Sequence, residues 1–156
     1  MILRDFEPRD LDAVVRLDVE ALNPYGDTIA RPATHHPDLE DIAGVYQALG
    51  CFLVGEIDGA VIAMGGLLPD DDGRFKMRRV RIDAGHQRKG LGRQLVEELE
   101  RRALALGVRS IWLDTTVQQE AAQRLYEAMG YAETGRGPRQ IGEVTYDLVY
   151  YEKHLV

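Results

Sequence analysis

The stretch Gln87-Arg88-Lys89-Gly90-Leu91-Gly92-Arg93 decides how this chain is read. Two glycines one residue apart leave the backbone N–H groups of a turn uncovered, and the turn runs straight into an amphipathic segment. In that segment Leu91, Leu95, Leu99, Ala103 and Leu106 fall on one stripe, Glu97/Arg101 and Glu98/Arg102 are spaced for i,i+4 pairs, and Gly107 can end it. Uncovered amides at a helix start form an anion site, to which the helix dipole adds about half a positive charge. Arg88, Lys89 and Arg93 raise the local potential further, so the ligand expected is a phosphate or pyrophosphate. A dinucleotide fingerprint would need glycine where Leu95 stands, and the Gly-x-x-x-x-Gly-Lys-Ser/Thr loop is absent, so neither NAD nor ATP is favoured.

Upstream, short apolar runs over 51–56 and 60–68 flank Asp58-Gly59, the signature of an antiparallel hairpin. A turn cluster over 69–73 leads into a strand over 74–82, where the alternation Phe75, Met77, then Val80, Ile82 slips once and predicts a bulge. Near the start, a strand over 2–6 precedes a helix over 8–22 carried by Leu11, Val14, Val15 and Leu22. A proline-rich loop over 23–37 follows, then a second helix carrying Leu39, Ile42, Val45 and Leu49. Downstream, a buried strand over 110–114 precedes a helix opened by a capping box, Thr116 with Gln119, and ended by Gly130. Strands over 131–134 and 145–154 complete the chain. This order describes an α/β sandwich: a mixed sheet of about seven strands flanked by about four helices, parallel only where a helix joins two strands.

With 156 residues, 45% of them apolar, the chain reads as one domain over 1–156. No apolar run is long enough to span a bilayer and residues 1–6 are too polar for a signal peptide, so a cytoplasmic protein without a membrane partner is expected. The net charge of −7 argues against a nucleic-acid surface. Cys51, the single cysteine, sits in an apolar run and reads as a core thiol. His35 and His36 point different ways, and His86 and His154 lack partners at ligand spacing, so no metal site is expected.

A second pattern lies after the fifth strand: Gln119, Ala122, Leu125, Tyr126, Gly130, Tyr131. With Gln87, Gly90 and Gly92 it resembles the GNAT superfamily of acyl-CoA N-acyltransferases, which carries Gln/Arg-x-x-Gly-x-Gly/Ala after its fourth strand and Asn-x-x-Ala-x-x-Leu-Tyr-x-x-x-Gly-Phe after its fifth. Gln119 for Asn and Tyr131 for Phe are departures. The resemblance is carried by residues 75–131 and, outside them, by element order alone.

The resemblance implies acetyl-CoA as acyl donor, its pantetheine arm lying between splayed fourth and fifth strands against main-chain groups of Val80 and Ile82. It places the pyrophosphate on the turn Gln87, Arg88, Lys89, Gly90, Leu91, Gly92, Arg93, where the charge argument independently puts an anion, with Gln119, Ala122 and Tyr126 on the neighbouring helix. It further implies that Tyr126 returns a proton to the departing thiolate, although Tyr126 also completes an apolar stripe with Ala122, Leu125 and Met129. The acceptor amine must lose a proton before attack, and an amide such as that of Ile82 would hold the oxyanion. Many relatives carry a glutamate early in the fourth strand, where this chain has Lys76, so the base is left between Asp114, Glu143 and a water chain. Tyr146, Tyr150 and Tyr151 mark a last strand that lines the acceptor side or simply packs. Three readings stay open: acetylation of a small-molecule amine, acetylation of a protein N-terminus or lysine, and a non-catalytic acyl-CoA sensor, in a monomer or homodimer.

Overall fold

The computed structural model of the chain describes residues 1–22, 37–141 and 144–156. Seven strands form one sheet in the order β1-β2-β3-β4-β5-β7-β6: β1 Ile2–Asp5, β2 Cys51–Ile57, β3 Ala60–Pro69, β4 Phe75–Ile82, β5 Ser110–Thr116, β6 Ala132–Ile141 and β7 Val144–His154. Among the described residues three α-helices accompany them, α1 Leu11–Leu22, α2 Leu91–Ala105 and α3 Glu120–Ala128. All neighbouring strands are antiparallel except β4 and β5, which α2 connects.

Alternation in β2 explains the layering. Cys51 and Leu53 face a core shared with Leu95, Leu99 and Tyr126, while Phe52 and Val54 face one shared with Val14, Leu17 and Tyr46. A strand covered on both faces reads as a continuous apolar run, as 51–54 does. Leu95 and Leu99 are fully buried, and truncating either to alanine removes packing worth about 2–5 kcal/mol.

Four sequence expectations are corrected. The second helix is a 3-10 turn, Leu39–Asp41, followed by a π-helical turn, Ala43–Gln47; Tyr46 is buried edge-on against Phe52, and Leu49 is 72% exposed. In α1 the buried stripe is Val14, Leu17 and the charged Asp18, with Leu11 exposed. In α2 the expected Glu98/Arg102 pair forms, but Glu97 pairs back to Arg93 in place of Arg101, which goes to Glu98 as well. Finally, β6 runs on through Gly135, Gly137 and Pro138, because pairing with β7 overrides poor strand propensity and Pro138 lies on an edge strand that β7 pairs on one side only. The loop expected over 23–37 lies outside the described residues apart from Pro37.

Candidate active site

The sheet is split at its centre. β4 and β5 pair only at Phe75↔Ile111 and Lys76↔Trp112, and beyond those residues the strands diverge. The divergence has a local cause in β4. Between Met64/Arg81 and Gly66/Arg78 the register slips, so Arg79 and Val80 oppose the single Gly65: the bulge expected from the sequence. Arg79 occupies the left-handed region at φ 60, which costs a non-glycine residue on the order of 1–2 kcal/mol.

A buried ionic network opposes that strain. The Arg79 side chain is 3% exposed; its Nη1 lies 3.0 Å from Asp18 Oδ2, and its Nη2 and Nε donate to Asp38 at 2.7 and 3.0 Å. Tyr46 Oη donates to Asp38 Oδ2 at 2.5 Å, and Arg81 Nε donates to Asp18 at 3.2 Å. Burial alone would raise the Asp38 carboxyl, but the hydrogen bonds from Arg79 and Tyr46 outweigh it and hold it well below the usual range. Burial likewise works against the Arg79 charge and Asp38 more than restores it. None of this network was anticipated; the signal that could have found it is the cation run Arg78-Arg79-Val80-Arg81 inside a strand.

The bulge also sets where main-chain groups point. Asp83 N–H donates to Ile62 C=O at 2.8 Å, so alternation turns Arg81 toward β3 and the N–H and C=O of Val80 and Ile82 toward the gap. The Gln87 side chain then donates to Ile82 C=O at 3.0 Å, tying the following turn back to the strand. Asp83 braces the same turn by accepting from Gly85 N–H and contacting His86 Nδ1.

Arg88 and Gly90 both have positive φ, 62 and 77, and Gly90 is the N-cap of α2. The first amides of α2, those of Leu91, Gly92 and Arg93, lack intrahelical partners by position. Arg88, Lys89 and Arg93 are exposed around them. A side chain at Gly92 would begin 3.3 Å from Leu125 Cδ2, so the glycine also lets α2 approach α3 closely.

The gap is lined by Val80, Arg81, Thr116, Gln119, Ala122 and Tyr126, among others. Tyr126 belongs to the core under α3, packed edge-on against Tyr131 at 5.6 Å, and the split in the sheet brings it into the gap. Burial pushes its hydroxyl up to about 12, with the Arg81 charge pulling weakly the other way. The capping box is realised only in part. Gln119 Oε1 accepts from Thr116 N–H at 3.2 Å and from Thr115 Oγ1 at 2.8 Å, but Thr116 ends β5 and Gln119 itself caps α3.

Toward the other end of the gap lies Asp114, with Lys76 Nζ 2.9 Å from its Oδ2 and Arg139 Nη1 4.0 Å away. Burial lowers the Lys76 ammonium, and Asp114 offsets this only in part. Glu143 lies outside the described residues. The three tyrosines of β7 separate: Tyr146 lines the gap, Tyr150 packs beside Trp112, and Tyr151 faces α3, donating to Glu127 at 2.8 Å. Among the described residues no group of three or more His, Cys, Asp or Glu could hold a metal, and no helix is long and apolar enough to cross a membrane.

Residues 15–131 match the acetyltransferase (GNAT) family. The chain is 32% identical over 126 residues to an IAA acetyltransferase of Azospirillum brasilense, covering 80% of each. It is 33% identical over 106 residues to human N-acetyltransferase 8, matching 64% of this chain but spanning only about half, 47%, of that protein. Its fold superposes with a TM-score of 0.79 and 22% identity on the structure of yncA from Salmonella typhimurium with its cofactor acetyl-CoA, over 100% of this chain and 94% of that one. The chain belongs to the acetyltransferase (GNAT) family.

Proposed function

We propose that the chain transfers an acetyl group from acetyl-CoA directly to a primary amine of a small molecule. The observation that carries this reading is the continuity of one path: main chain at Val80 and Ile82 beyond the β4–β5 ladder, then the left-handed turn at Arg88 and Gly90, then the start of α2. That path offers amides to an extended amide-bearing arm and, further along, amides and cations to phosphates. The cofactor contacts are assigned to Val80, Ile82, the turn from Gln87 to Arg93, and Gln119, Ala122 and Tyr126. The Gln87 side chain acts by shaping the turn, since it is spent on Ile82 C=O.

In the reaction the amine nitrogen attacks the thioester carbonyl carbon, the C–S bond breaks, and CoA leaves as a thiolate. An amide of Val80 or Ile82 stabilises the oxyanion. Tyr126, kept protonated by burial, gives its proton to the thiolate. The proton lost by the amine goes to water, to Asp114 or to Glu143. Lys76 Nζ lies 2.9 Å from Asp114 Oδ2, so one of that carboxylate's oxygens already faces a cation.

Amine-dependent release of free thiol from acetyl-CoA tests the reading. Tyr126→Phe is expected to leave acetyl-CoA affinity within about twofold and to lower kcat by about 100-fold. Because the Tyr126 hydroxyl sits at about 12, the wild-type rate should rise as the amine deprotonates and stay level through pH 10. Acetyl-CoA binding without thiol release for any amine would instead support a non-catalytic sensor.

A further inference from the structure

The chain as a whole is acidic, at −7, yet the wall of the gap beside the pairing point is basic. Lys76, Arg78, Arg79, Arg81 and Arg139 all line it, and Asp114 is the one carboxylate lining it among the described residues. Counting Asp18 and Asp38 behind the wall, five cations face three carboxylates, an excess of two positive charges among the described residues.

The carboxylates are already used. Asp38 accepts two bonds from Arg79 and one from Tyr46, so Arg78, at 3.8 Å from its Oδ2, has no close acceptor there. Among the described residues Arg139 reaches no carboxylate closer than 4.0 Å, and Lys76 has taken Asp114. Two guanidinium forks, Arg78 on β4 and Arg139 on β6, 29% and 53% exposed, therefore front the gap with most of their donors unspent. They are not placed to serve the donor's phosphates: at about 3.3 Å per strand residue, Arg78 lies more than roughly 10 Å before Ile82, and the phosphate turn starts beyond that.

A guanidinium fork matches a carboxylate in two parallel bonds, whereas a polycation entering the same wall meets like charge. Resting on the acetyl-transfer reading above, we propose that the acceptor is an amine that also carries a carboxylate, an amino-acid-like substrate, held through that carboxylate by Arg78 and Arg139. The same positive wall favours loss of a proton from the incoming ammonium, which is the form that can attack.

The test compares free amino acids with their amides and methyl esters, and with spermidine, by thiol release and by calorimetric binding to the CoA-loaded protein. Capping the carboxylate should lower kcat/KM about 10–100-fold, the loss of one or two charge-assisted hydrogen bonds, and spermidine should be poorer still. Arg78→Gln and Arg139→Gln should each raise KM for the free acids more than they lower kcat, and together erase the preference over the amides. Arg136→Gln, on the same strand but paired with Glu133, should keep it. Equal use of acids, amides and spermidine overturns the inference while the transfer reading stands. If nothing is acetylated but the acids alone bind, the inference stands and the transfer reading falls; if the acids neither react nor bind, the inference falls.

Discussion

The two ends of the gap are built by opposite means. At the end proposed for the donor, the groups assigned to recognition are main-chain amides of one contiguous stretch, from Val80 to Arg93, shaped by positive φ at Arg88 and Gly90. At the end proposed for the acceptor they are side chains from β4, β5, β6 and β7, brought together by pairing between strands distant in sequence. A backbone cradle tolerates many side chains and keeps one ligand; a wall of side chains is free to change its ligand without altering the strands that carry it.

The largest effect is expected where the two ends meet, at Arg79. Arg79→Met removes the cation between two buried carboxylates, Asp18 and Asp38, and should cost about 3–5 kcal/mol of stability, read by urea unfolding. A loss below about 1 kcal/mol would mean the network is incidental to the bulge.

At the donor end, the double substitution Gly90→Leu/Gly92→Leu should weaken acetyl-CoA binding by more than about 100-fold with the fold intact by circular dichroism. Gly90 has open space for a side chain but sits at φ 77, and a leucine at 92 displaces only the end of Leu125, so the change falls mainly on the phosphate cradle. Undiminished binding in the folded variant would break the contrast between backbone and side-chain recognition.

The smallest effect is the acid response of the wall. Asp38 is depressed below its ordinary 3.8, so its contribution is fully present above that pH and is lost as pH falls through and below it. The Tm should be level near neutrality and fall below about pH 4, and Asp38→Asn should be less stable at pH 7 with a shallower acid slope. An unchanged slope would place acid sensitivity elsewhere, for example at Asp10, which the Arg4 hydrogen bond also holds down.

What was legible in the sequence follows the same division. The turn, the helix stripe and the slipped alternation of β4 are local patterns. Asp18 reads as a solvated residue of an amphipathic helix until Arg79, 61 residues away, is folded against it. Arg139 sits in a stretch whose glycines and proline read as loop, because only β7 makes it a strand. The acceptor wall depends on those long-range pairings.

Peptide-resolved hydrogen exchange with and without acetyl-CoA tests the central claim most directly. The cofactor should protect amides of residues 80–82 and 88–93 and leave β1, β2 and the β6 edge unchanged. Exchange unaltered in both of those segments, with acetyl-CoA bound, would contradict it.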